Sequence, residues 1–83
     1  MKIRIESTVY DGSAVEIMER LRDQAFDPSE FPDVDSYIWY LQSNYIRMTD
    51  RDCVLPEGDT EQRARAMFGK LRDAGALTVL EEG

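Results

Sequence analysis

The sequence predicts an α+β domain: three amphipathic helices packed on a small two-stranded sheet, in the order strand, helix, helix, helix, strand. Three observations carry this. Lys2 to Tyr10 alternates apolar and polar residues with the period of a half-buried strand. Three later segments repeat apolar residues at helical spacing, each behind a capping residue: Ser13, Asp33 and Asp59. Ala76 to Leu80, A-L-T-V-L, follows a glycine and reads as a closing strand with Leu77 and Val79 inward. At 83 residues the chain is one domain near the lower limit for folding on a single core. Residues 1–80 are assigned to that domain and 81–83 to a solvated tail. Two strands alone are marginal, and a homodimer extending the sheet through an open edge is a natural supplement.

In the first strand Ile3, Ile5 and Val9 fall on one face, with Ser7 interrupting. Lys2, Arg4, Glu6, Thr8 and Tyr10 fall on the other, toward solvent or a dimer mate. Asp11-Gly12 breaks the strand. Ser13 and Glu16 then form a capping box, and Ala14, Ile17, Met18, Leu21 and Ala25 make the buried stripe of the first helix. That helix is expected to end near Phe26, because Asp27-Pro28 opposes continuation. Asp27 to Pro32, D-P-S-E-F-P, is a rigid connector.

The stretch from Asp33 to Met48 holds the only tryptophan and three of the four tyrosines, without glycine or proline. As a helix capped by Asp33, it places Val34, Tyr37, Ile38, Leu41, Tyr45 and Met48 on the core face. Trp39 and Ile46 lie together on one flank, and Tyr40 points away beside Ser36, Ser43 and Arg47. Thr49 to Gly58 is a second connector. The third helix starts at Asp59, with Gln62 closing its capping box. It buries Ala64, Met67, Phe68 and Leu71 and ends at Gly75, placed for a left-handed residue. Met18 to Asp23 and Phe68 to Asp73, M-E-R-L-R-D and F-G-K-L-R-D, converge on one helix-end pattern and do not make a repeat.

The residue inventory excludes much chemistry. With no histidine there is no Ser-His-Asp or Cys-His catalysis, and most zinc and iron sites are out of reach. One cysteine permits no internal disulfide; Cys53 is expected to be an inert, sheltered thiol. The five glycines are scattered and make no phosphate loop. Asp50, Asp52 and Glu61 occupy first, third and twelfth places of a calcium loop, but Leu55 stands where such a loop needs glycine. Seventeen acids leave paired-carboxylate chemistry open on composition, yet a chain this short has little volume for a pocket and a core together. The expectation is a protein that is not an enzyme and holds no cofactor or metal. Met1 to Tyr10 is too polar for a signal peptide, and no stretch approaches a membrane span; a cytoplasmic location is expected.

The net charge of −7 opposes nucleic-acid binding, and Arg47, Arg51, Arg63 and Arg65 are expected to pair with Asp50, Asp52, Glu57 and Glu61. Two groups remain as candidate binding residues. Trp39 and Ile46, on the flank of the buried face, either widen the core stripe or, with Tyr40 beyond them, anchor a protein interface. Asp27, Glu30, Asp33 and Asp35 form a strongly negative patch with no cation between them, suited to a basic partner.

Tyr10-Asp11-Gly12-Ser13, the Glu16-Ile17 helix start and Tyr37-Ile38 resemble small uncharacterised bacterial and prophage-type proteins. The resemblance implies no activity and suggests a small accessory or regulatory role. The reading is therefore an accessory protein–protein interaction module acting as a homodimer. Its rival is an acidic inhibitor or nucleic-acid mimic that binds a basic protein, and a small enzyme or enzyme subunit ranks behind both.

Overall fold

The computed structural model describes residues 1–25 and 27–82. It is an α+β fold of three helices and one antiparallel sheet, with strand order β2-β1-β3. The expected first strand is a hairpin: β1 (Lys2–Ile5) and β2 (Thr8–Asp11) pair through a two-residue turn at Glu6-Ser7. Tight hairpins of this length need a left-handed residue in the turn, and Glu6 takes that conformation with φ 55°. The reversal resets the alternation. Tyr10, opposite Ile3, turns inward and is buried, while Val9, opposite Arg4, turns outward and is 51% exposed. Both placements reverse the expectation of one continuous strand. The sheet accordingly has three strands.

α1 (Ala14–Asp23) buries Ala14, Ile17 and Met18, with Leu21 and Ala25 packed at the margin. It ends at Asp23, before the expected limit; Phe26 lies outside the described residues. A single 3-10 turn (Pro28–Glu30) leads to α2 (Val34–Thr49), capped by Asp33, whose Oδ1 accepts from the Ser36 amide at 2.8 Å. α2 buries Val34, Tyr37, Ile38 and Tyr45 and half-buries Leu41. Met48, expected in the core, is 75% exposed. α2 runs 16 residues against 10 for α1 and 14 for α3 (Thr60–Asp73), and after the buried Tyr45 its residues Ile46, Arg47 and Met48 are all exposed. The Gln42 side chain donates to the Cys53 carbonyl at 2.6 Å, which pins the second connector to α2.

α3 has the expected capping box, with Asp59 accepting from the Gln62 amide at 2.8 Å and Gln62 accepting from the Asp59 amide at 3.1 Å. Its end is a Schellman closure. Gly75, at φ +80°, donates to the Arg72 carbonyl and Ala76 to the Leu71 carbonyl, both at 2.9 Å. β3 (Thr78–Glu81) then pairs with β1 and includes Glu81 of the expected tail. Glu82 is exposed but holds Arg72 at 2.9 Å; Gly83 lies outside the described residues.

The three helices pack on one another, and their stripes meet Ile3, Tyr10 and Leu77 in one core. Phe68, Ile3, Ile17, Met18, Ile38 and Met67 are fully buried, each worth about 1.5–3 kcal/mol of transfer free energy. Met18 and Phe68, the leading residues of the two look-alike segments, therefore serve the same purpose on α1 and α3. The other face of the sheet, with Arg4, Val9, Thr78 and Leu80, carries no helix among the described residues.

Candidate functional site

All of the candidate residues except Ile46 border two adjoining hollows at one corner of the molecule. Glu30 and Phe31 arrive on the connector, and Asp33, Asp35, Ser36, Trp39 and Tyr40 on the first two turns of α2. Together they line an open concavity of about 620 Å³. A smaller depression of about 190 Å³ shares Glu30, Phe31 and Tyr40 and adds Ala25, Asp27 and Tyr37. A ridge of Phe31 and Tyr40 thus separates two hollows, with Glu30 bordering both.

The ridge is built by aromatic packing. Phe31 meets Tyr37 edge-on with ring centroids 5.2 Å apart, and Tyr40 at 5.0 Å. Tyr37 and Tyr40 are 5.9 Å apart. Tyr40 is therefore half-sheltered by Phe31 and does not simply point away. Burial, reinforced by Tyr40 and Tyr10 nearby, raises the Tyr37 phenol above its ordinary value. Tyr10 donates to Gln24 Oε1 at 3.1 Å and so anchors the same cluster to the end of α1. Trp39 stands apart from these rings and is 68% exposed. Ile46, two turns further along the same flank, is also exposed but does not line the concavity.

The four acids differ in how far the fold already employs them. Asp27 accepts from the Ser29 amide and hydroxyl. Asp33 caps α2, and the Ser36 amide holds its carboxyl below the ordinary value. Asp35 is held by Arg63 at 2.7 Å, with the Thr60 hydroxyl at 3.4 Å. Glu30 makes no ion pair or side-chain hydrogen bond among the described residues. Among the described residues the expected arginine pairing is met by Arg65 alone, which donates to Glu61 at 3.0 Å. Arg63 turns to Asp35, and Arg47 to Asn44 at 2.7 Å.

Glu61 has a role that spacing did not reveal. Its two carboxylate oxygens accept from the Ala14 and Val15 amides at the start of α1, both at 3.0 Å. Burial opposes its charge, but those two amides and Arg65 outweigh burial and hold the carboxyl below its ordinary value of 4.5. This also shows where the twelfth residue of the calcium-like spacing goes, while Asp50 is the left-handed cap of α2. No group of three or more Asp, Glu or Cys side chains among the described residues is arranged to hold a metal ion. Cys53 is buried beside Met67, its thiol pushed up by burial despite the opposing pull of Lys70. No described helix is long and apolar enough to cross a membrane.

No protein-family model, no curated protein and no solved structure matches the chain.

Proposed function

We propose that the chain is a small accessory module that docks a protein partner at the corner formed by the 3-10 turn and the start of α2. The observation that carries this reading is the 68% exposure of Trp39 at the rim of a concavity also lined by Phe31, Tyr40 and three carboxylates. A folded chain gains nothing from an indole left in water, whereas an interface gains an anchor. The hollow is open and shallow, which suits a protruding side chain better than an enclosed reaction. Three of the four acids are individually engaged, which favours a local contact over an extended phosphate-like array.

The test uses a partner recovered with the chain and then purified. Its affinity is measured against wild type and against the Trp39→Ala, Tyr40→Ala double variant. A loss of at least about tenfold is expected for two aromatic anchors. If the double variant folds normally and keeps the partner, the corner is not the docking site.

Homodimerisation is a second reading, favoured by the sheet. β2 and β3 each pair only with β1 among the described residues, leaving two outer edges for a second copy. Sedimentation at micromolar concentration decides it, and a monomer there removes the claim.

A further inference from the structure

We infer that the concavity beside Trp39 receives an arginine side chain presented by a basic segment of the partner. The inference rests on the docking reading above and names the chemistry of what docks. Three features of the hollow select this occupant. Its carboxylates are Glu30, Asp33 and Asp35, and no lysine or arginine lines it. Arg63 already answers Asp35, and Asp33 accepts from the Ser36 amide, which leaves Glu30 as the carboxylate with no ion pair or side-chain hydrogen bond among the described residues. The remaining lining is Ser36 and three aromatics: Phe31, Tyr40 and the exposed indole of Trp39.

A carboxylate with a free valence beside an exposed aromatic face is the pairing that a guanidinium satisfies. It stacks its plane on a ring while donating from its edge to the carboxylate. An apolar side chain would cover Trp39 but strip water from Glu30 without replacing its hydrogen bonds. An anionic one would meet like charge from the lining and from a molecule of net charge −7. The concavity, at about 620 Å³, has room for the long arginine side chain and some of the backbone on either side.

The test is a titration of the isotope-labelled chain followed by amide and indole resonances. One probe is a glycine pentapeptide with arginine at alternate positions. The other is the same peptide with citrulline, which keeps the shape and removes the charge. The arginine peptide is expected to shift the Trp39 indole and the Glu30 and Tyr40 amides in a saturable way that weakens with added salt. The citrulline peptide is expected to leave them unmoved. Trp39→Ala is expected to weaken binding about fivefold, the size of a cation–π contact at an exposed site. Glu30→Gln is expected to weaken it about threefold, as loss of an exposed ion pair does.

Equal shifts from both peptides, shifts confined to another surface, or none at millimolar peptide would overturn the inference. The two readings fail separately. If the purified partner is lost by the Trp39→Ala, Tyr40→Ala variant but not by Glu30→Gln, the corner docks protein without reading a cation. If the double variant keeps the partner, docking at this corner fails first.

Discussion

The starts of α1 and α2 are built from the same kinds of residue and end in opposite states. At α1 every orphan donor of the first turn finds an acceptor within the chain. Ser13 donates to Glu16, Glu16 to the Ser13 hydroxyl, and Ala14 and Val15 to the carboxylate of Glu61. At α2 Asp33 satisfies the Ser36 amide, while the Val34 and Asp35 amides have no acceptor among the described residues. In front of α1 lies another helix; in front of α2 lies an open hollow. The amides at a helix start are thus completed where a neighbouring element supplies an acceptor, as Glu61 does for α1, and left open where nothing does.

The sharpest way to break the comparison is at Glu61. Glu61→Ala leaves the Ala14 and Val15 amides without their acceptor and Arg65 without its carboxylate, held only through the Glu82 carbonyl. The side chain is 32% exposed, so water screens and partly replaces these contacts, and a loss of about 1–2 kcal/mol is expected in urea unfolding. A wild-type value would show that the clamp contributes nothing.

Acid should reproduce part of that loss. Glu61, Glu16 and Asp33 all sit below their ordinary values when folded. Each therefore stabilises the fold fully above its ordinary value, and the stabilisation fades as pH falls through the lower, folded value. A melting series from neutral pH to about 3 should show a steep decline below the carboxylate range near 4. The decline should be shallower in Glu61→Gln, and equal slopes would mean that Glu61 is not linked to folding.

Asp33→Ala removes one cap from a helix whose start is already incomplete. A smaller drop in melting temperature than for Glu61→Ala is expected; a larger one would reverse the ranking of the two helix starts. The smallest effects belong to the corner itself. Trp39→Ala and Glu30→Gln should each leave stability within about 0.5 kcal/mol of wild type, because neither completes anything inside the fold. Marked destabilisation by either would make the corner structural.

Much of this was legible in the chain. Capping residues Ser13, Asp33 and Asp59 sit within a few positions of the donors they satisfy, and Gly75 ends α3 by its own conformational freedom; local rules act over such distances. The hairpin was hidden because its turn, Glu6-Ser7, contains no glycine or asparagine to announce a left-handed residue. That omission reversed Val9 and Tyr10. Met48 fits the helical period of the core and still lies in solvent, since periodicity describes a helix face but not the length of what it packs against. At the corner, helical spacing set Tyr40 off the core stripe and left Trp39 on its flank, open to either side. It could not show that the connector folds Glu30 and Phe31 back beside them. The Glu61 clamp spans 47 residues, beyond any pattern read along one chain.

The clamp has a consequence for the order in which the protein is made. The first turn of α1 is synthesised early, but its acceptor follows 47 residues later, several seconds at ordinary rates of translation. Until residue 61 has emerged and α3 has formed, α1 begins with two bare amides, and only Ser13 and Glu16 hold its end. The nascent chain thus has no finished N-terminal half. α1 is closed by α3, and this domain's core completes itself only after α3 has emerged.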